Sequence, residues 1–315
     1  MAVTVIIPNY NNAQFLEQCI ASVRADDAVT AIIIYDNASQ DASVDIVRRL
    51  DEPKVILIEG DSNIGAAQAR HHAVEHCTTD YIYFLDGDDF LDLGTVQAAY
   101  DAARRFNLDL AIPDMVRVDI DGTGRRRFVD RPDVILNGKA AFMMTIDGWK
   151  IHPMGVMRRA LYIEASRQFD FHGFSDDEML TRYMLLYASR VGGAEGAYNY
   201  RVIEKPATLA KHAGQLRTEL RVLALAADLD SGSNEAVLRR LRNAAVRALA
   251  GLLRRTLMRS GDLDMVRSLH ADLNRLPLPW KTPDLPYRVA ATIVKLAVAG
   301  RRSGTDVGNI PPRGK

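Results

Sequence analysis

An α/β fold built on a mostly parallel sheet, followed by a helical C-terminal region, is what this 315-residue sequence predicts. Three observations carry that expectation. Short β-branched runs alternate with amphipathic stretches through the first hundred residues. The runs are apolar almost without interruption, as strands covered on both faces are. Three of them end in polar or acidic clusters, and ligands of such sheets bind beyond the carboxyl ends of the strands.

Taken in order, "VTVIIP" reads as the first strand and 13–24 as the helix behind it; "TAIIIYD" is followed by a helix over 41–50, "KVILIE" by one over 64–77, and "DYIYFLD" by one over 94–106. The polar strand ends are Asn9 to Asn12, Asp36 to Ser39 and Asp86 to Asp89. After "LDLAIPD" the alternation loosens. The segment "DMVRVDIDGTGRRRFVD" reads as a hairpin turning at Asp121 and Gly122, with an exposed second arm whose Arg125, Arg126 and Arg127 are solvated. Helical stretches around 137–145 and 176–189 precede a strand in "GAYNYRV". Residues 211–275 read as helical, the four prolines of "LPLPWKTPDLP" interrupt, and 287–299 forms a last helical stretch before the tail "SGTDVGNIPPRGK", expected to be disordered.

Composition is that of a soluble globular protein, 48% hydrophobic and 25% charged. The net charge of zero hides a division: residues 1–200 hold 19 Lys and Arg against 30 Asp and Glu, residues 201–315 hold 21 against 10. The two parts therefore face different partners. Cys19 and Cys77 belong to no CxxC or Cys/His cluster, which reads as two buried thiols in a reducing compartment. The start "MAVTVIIPNY" has no basic leader, and no stretch reaches the roughly 18–20 apolar residues of a spanning helix. A cytoplasmic protein, at most peripheral on the inner face of a membrane and without a nucleic-acid partner, is the expectation.

The stretch "DYIYFLDGDDF" poses a chemical question, because like charges crowded at the end of a buried strand repel and are costly to desolvate. A divalent cation would supply the missing charge, and all-oxygen ligands suit hard Mg²⁺ or Mn²⁺. The bland alternative is an acidic surface turn.

Together, "VTVIIPNYNN", "IIIYDNASQDAS", "GDSNIGAAQARHHAV" and "YIYFLDGDDFLD" resemble, in this order and spacing, the donor-binding half of a family 2 glycosyltransferase of the GT-A fold. The resemblance is strong over residues 2–95 and weaker to about 210. It implies a catalytic domain over 1–210, divided into a nucleotide-sugar half (1–95) and an acceptor half (96–210), then a helical region over 211–300 and a tail over 301–315. Pro8, Asn9 and Tyr10 match the loop that holds the nucleotide base, usually uracil, and Asp36 the carboxylate that accepts a hydrogen bond from its edge. Asn63, Gly65 and Arg70 match the segment packed on the nucleotide and its diphosphate; as bare chemistry, Arg70 could equally form a packing ion pair with an Asp. Asp86 and Asp88 match the family's DxD, Asp86 near ribose and metal and Asp88 as the direct ligand of Mn²⁺ or Mg²⁺; Asp89 has the weaker claim.

In such enzymes an acidic pair opens a helix beside the acceptor, its second member serving as general base. In "FHGFSDDEMLTRYML" the matching pair is Asp176 and Asp177, followed by Glu178, with Ser175 as a helix cap; the family's usual Glu-Asp is absent, so the register between Asp176 and Asp177 stays open. The resemblance also implies an aromatic beside the acceptor sugar, and Trp149 is the candidate, with Trp280 assigned to packing. His152 and His212 read as structural rather than as metal ligands.

The activity implied is an inverting, metal-dependent transfer from a nucleotide-sugar, UDP-linked, to a hydroxyl of a carbohydrate or glycolipid. Two alternatives stand beside it: a phosphatase with Asp86 as nucleophile and Asp88 as acid, and a sugar-nucleotide or carbohydrate-binding protein without turnover. In the C-terminal part, Leu238, Leu241, Ala245, Leu249, Leu252 and Leu253 recur at helical spacing among Arg239, Arg240, Arg242, Arg247, Arg254, Arg255 and Arg259. Such a helix packs its apolar face on the catalytic domain or lies on an anionic membrane, and 287–299 with Arg301 and Arg302 is a second candidate for membrane contact.

Overall fold

A computed structural model describes residues 3–146, 149–167 and 176–203, together with Val222, Leu225 and Leu229. The chain groups into Met1–Pro206 and Ala207–Lys315, and the sheet with its flanking helices lies in the first unit. Apart from Val222, Leu225 and Leu229, the helices read at 211–275 and 287–299, the tail, and the residues Ser175, His212 and Trp280 lie outside the described residues, as does the side chain of Asp176.

The order is β1 (Val3–Asn9), α1 (Ala13–Arg24), β2 (Val29–Asp36), α2 (Ser43–Arg49), β3 (Val55–Glu59), α3 (Ala66–Glu75), β4 (Tyr81–Phe84), β5 (Phe90–Leu91) and α4 (Thr95–Arg105). It continues with β6 (Leu110–Val118), β7 (Arg126–Val129), α5 (Gly138–Met143), β8 (Val156–Arg158), α6 (Arg159–Ser166), α7 (Asp176–Tyr187) and β9 (Val191–Arg201). One sheet runs β3-β2-β1-β4-β8-β6-β9-β5, with β7 paired to β6.

The first four strands in that row are parallel, as their unbroken apolar character requires: all seven residues of β1 are buried, and Ile32, Ile33 and Ile34 of β2 lie beside Val5, Ile6 and Ile7. Each helix between them covers the sheet with one stripe; in α1 that stripe is Phe15, Leu16, Cys19, Ile20 and Val23. Beyond β4 the sheet is mixed. β8 runs antiparallel to both β4 and β6, and β9 is parallel to β6. The carboxyl ends of β4, β6 and β9 therefore point to the same edge, where the polar strand ends gather.

The hairpin predicted at Asp121 and Gly122 joins β6 to β7, closed by hydrogen bonds from Gly122 N–H to the Asp119 carbonyl and from Asp119 N–H to that of Thr123. Its arginines are exposed, and two of them are ion-paired: Arg125 grips Asp92 with two 2.8 Å bonds, and Arg127 reaches Asp114 at 3.2 Å. Strands β5 and β8 and helix α6 have no counterpart in the sequence reading. Strands of two and three residues have no periodicity to detect, and they exist because neighbouring strands supply their partners. Cys19 and Cys77 are buried free thiols. Among the described residues no helix is long and apolar enough to cross a membrane.

Candidate active site

Side chains of the strand-end loops bind one another. Asn9, last residue of β1, donates from Nδ2 to Asp36 Oδ2 at 2.7 Å; Ser39 donates to Asp36 twice, from its N–H and its hydroxyl, both at 2.7 Å. Asn11 N–H donates to Ser39 Oγ, and Asn11 Oδ1 accepts from Gln40 N–H. Asp36, 2% exposed, thus ties the loops after β1 and β2 together. Tyr10 stands out from this layer, 42% exposed, with Pro8 buried behind it.

The Asp86–Asp89 turn packs against the same loop through Gly87. A Cβ there would sit 2.9 Å from Asn9 Oδ1 and 3.1 Å from Asn12 Nδ2, so a side chain would push the turn off β1. Two residues of β9 hold the turn from the other side. Asp86 N–H donates to the Tyr198 hydroxyl at 3.2 Å, and that hydroxyl donates to Asp89 Oδ2 at 2.7 Å. Arg201 donates its N–H to Asp89 Oδ1 and its Nε to the Asp88 carbonyl, while Nη2 reaches Gln18 and the guanidinium lies 4.5 Å over the Phe15 ring. Asp89 is buried, and its burial, then the charges of Asp86 and Asp88, push its carboxyl well above the usual range. It anchors the turn. Asp86 and Asp88 are half-buried.

Asn63 and Gly65 shape the entry to α3. Asn63 Oδ1 accepts from Gly65 N–H at 3.0 Å, and Gly65, at φ +84° and ψ 158°, takes a backbone conformation that favours glycine. One turn and a half later, Arg70 is buried, ion-paired with Asp86 Oδ1, its guanidinium 5.6 Å from the Phe84 ring centroid. The ion-pair reading of Arg70 is therefore realised, and its partner is the first carboxylate of the DxD. Burial works against its charge, yet Asp86 and then Asp177 raise its pKa above the ordinary arginine value. Arg70 Nε is buried without a partner.

Asp177, half-buried on the first turn of α7, thus acts on the same guanidinium as Asp86. One turn along, Arg182 is buried, pairs with Glu178 at 3.4 Å and lies 4.1 Å over the Trp149 ring. Trp149 is itself tilted against His152, ring centroids 5.1 Å apart. Burial drives the His152 pKa down to about 4, Asp86 opposing and Arg70 and Arg182 adding to the effect; its Nδ1 is buried without a partner. Among the described residues no group of three or more His, Cys, Asp or Glu is arranged to hold a metal ion.

Sequence reasoning missed Tyr198, Arg201 and Arg182. Tyr198 and Arg201 lie in the strand it read, "GAYNYRV", but 109 and 112 residues from the Asp89 they hold, and nothing local announces such a partner. Ser39 was at hand in "DNASQD", where an Asp followed three residues later by Ser invites a side chain to backbone turn.

The parallel start, the mixed continuation and the acidic turn at the end of β4 are those of a GT-A glycosyltransferase. The crystal structure of residues 1–349 of Staphylococcus aureus TarS in complex with UDP-GlcNAc matches with a TM-score of 0.60 at 15% identity, over 95% of this chain and 92% of that one. The chain belongs to glycosyl transferase family 2, whose model matches residues 4–164. It is 28% identical over 127 residues to the succinoglycan biosynthesis protein ExoO of Rhizobium meliloti, covering 40% of this chain and 36% of that protein. It is 24% identical over 212 residues to the poly(ribitol-phosphate) beta-glucosyltransferase of Bacillus spizizenii, covering 64% of this chain and 32% of that one. The chain spans about a third of the length of these curated relatives. Family membership leaves the phosphatase reading without support, and Asp86, its would-be nucleophile, is ion-paired with Arg70.

Proposed function

We propose that this protein transfers a sugar from a UDP-linked donor to a hydroxyl of a carbohydrate or glycolipid acceptor, with inversion and with a divalent cation. The observation that carries the reading is the convergence on buried Arg70 of two carboxylates from different elements, Asp86 at the end of β4 and Asp177 at the head of α7. A donor held over the strand ends and an acceptor beside α7 would meet there. Two similar proteins point the same way, one a beta-glucosyltransferase and one crystallised with UDP-GlcNAc.

In this reading Pro8, Asn9, Tyr10 and the Asp36-locked loops form the base pocket, and Asn63 and Gly65 flank the diphosphate. The acceptor oxygen attacks the anomeric carbon from the face opposite the diphosphate; the new C–O bond forms as the sugar–phosphate bond breaks, and its electrons leave with the nucleoside diphosphate. Asp177 takes the hydroxyl proton. Arg70 holds Asp86 by its ion pair and shares the field of Asp177, which keeps the two ends of the site close for an in-line reaction. Trp149, braced by Arg182, faces the acceptor sugar.

The residues fit Mn²⁺ or Mg²⁺ through the chemistry of their donors. Asp88 and Asp86 are hard carboxylates at a strand end, and too few to complete a shell by themselves, which leaves positions for diphosphate oxygens. When bound there, the cation would neutralise charge on the departing diphosphate. A cytoplasmic site of action belongs to the same proposal, supported by the two buried free thiols.

A melting panel of UDP-, GDP- and dTDP-sugars with and without Mn²⁺ tests the reading, because a ligand that binds the native state raises its melting temperature. The expected result is stabilisation by UDP-sugars that deepens with Mn²⁺, accompanied by slow release of UDP. Binding with no hydrolysis or transfer in any acceptor screen would make the chain a binding protein instead.

A further inference from the structure

We propose that Tyr200 and Phe128 form a stacking platform for a second sugar unit of the acceptor, next to the unit that reacts; this rests on the glycosyl-transfer reading above. β9 ends at the same sheet edge as β4, and its Tyr198 touches the acidic turn at Asp86 and Asp89. Alternate residues of a strand share a face, so Tyr200 lies on the face of Tyr198, about 7 Å further toward the strand end. The next residue, Arg201, is bonded to Asp89 and to the Asp88 carbonyl, which fixes Tyr200 beside the turn. Burial, then Asp89, Asp88 and Asp86, push its phenol up, consistent with a hydroxyl inside the field of that turn.

Phe128 of β7 lies beside it, ring centroids 6.2 Å apart and planes inclined at 55°. Arg117, the register partner of Tyr200 on β6, places its guanidinium 4.5 Å over the Phe128 ring and braces it. Tyr200 is 44% exposed and Phe128 36%. Two rings so exposed, inclined rather than stacked on each other and adjoining a site for sugar chemistry, offer apolar faces to the C–H face of a pyranose and a hydroxyl to its rim. Its place beside the acidic turn, where donor and acceptor meet in the proposed reading, selects a saccharide chain over a protein or lipid surface.

The test compares wild type, Tyr200→Ala, Phe128→Ala and Tyr200→Phe on gluco-oligosaccharides of one to six units, with UDP-glucose and UDP-GlcNAc as donors. Hydrolysis of the donor by water is measured in parallel. For wild type, KM should fall as the acceptor grows beyond one unit. Each alanine variant should raise the oligomer KM by about tenfold, while monomer transfer and donor hydrolysis stay unchanged. Tyr200→Phe, which keeps the ring, should remain within about twofold of wild type. An oligomer KM that ignores both alanine variants, equal losses with monomer and oligomer, or a wild type indifferent to acceptor length would each overturn the platform. Failure of the underlying reading looks different: wild type then releases no UDP from either donor, and the platform falls with it.

Discussion

Asp36 and Asp89, on the side proposed for the donor, are each 2% exposed and each held by the chain's own groups, Asp36 by Asn9 and Ser39, Asp89 by Tyr198 and Arg201. On the side proposed for the acceptor, Asp177 is half-buried, and further along α7 Arg182 pairs with Glu178 and lies over the Trp149 indole, which is tilted against His152. The donor wall is built of bonds with fixed direction, the acceptor wall of stacked rings and charges. Directional bonds to buried acceptors are costly to leave unmade, so the donor wall should resist rearrangement. Stacking tolerates sliding, which suits a wall that must receive a varied saccharide chain.

Mutation can break this contrast, and the acceptor side should give the largest effect on rate. Asp177→Asn should lower kcat by about 10³-fold with donor affinity nearly unchanged, as for loss of a general base. Single-turnover transfer alongside donor titration reads both quantities; if Asp176→Asn gives this pattern and Asp177→Asn does not, the base is Asp176. On the donor side the largest effect should be on stability. Arg201→Ala strips partners from Asp88, Gln18 and Ile120 and removes the cation from Phe15 and Phe90. We expect a loss of about 3 kcal/mol in urea unfolding, because buried acceptors are left unmet. A loss near zero would show that the turn holds its shape without its anchor.

Asp88→Asn should leave the melting temperature within a degree or two and reduce Mn²⁺-dependent transfer by about 100-fold, since it removes a charge while keeping the shape. Unchanged metal dependence would remove Asp88 from the cation site. Gly87→Ala sharpens the comparison, because its Cβ would meet Asn9 Oδ1 at 2.9 Å on the donor side, away from α7. Donor KM should rise about fivefold, matching a strain near 1 kcal/mol, with acceptor KM unmoved.

The smallest effect should be a pH dependence on the acceptor side. The His152 pKa of about 4 lies below its ordinary 6.5, so the unfolded chain binds the proton that the folded chain rejects. The stability tied to neutral His152 is full above about pH 6.5 and is lost as pH falls toward 4, about 1 kcal/mol of it by roughly pH 5.8. Melts of wild type and His152→Gln over that window should converge or cross; parallel curves would exclude the histidine as the source.

How much was legible in advance varies with the range of the interaction. Strands β1 to β4, their four helices and the hairpin at Asp121 and Gly122 follow from apolar period and turn chemistry, which act within a few residues. The acidic turn, the Asp36 loop and the Asp-rich start of α7 stood out for the same reason: unusual residue types at element ends are visible in any sequence. Tertiary structure alone decided what those carboxylates meet. Asp36 proves to be a loop lock and Asp89 an anchor, while Asp86 meets an arginine from α3, since the sheet brings together residues 16 to 112 positions apart. Spacing along a chain encodes a helix face or a strand face. It does not encode which face meets which, because that is set by packing a whole sheet at once, and it is there that Arg70 of α3 came to pair with Asp86 at the end of β4.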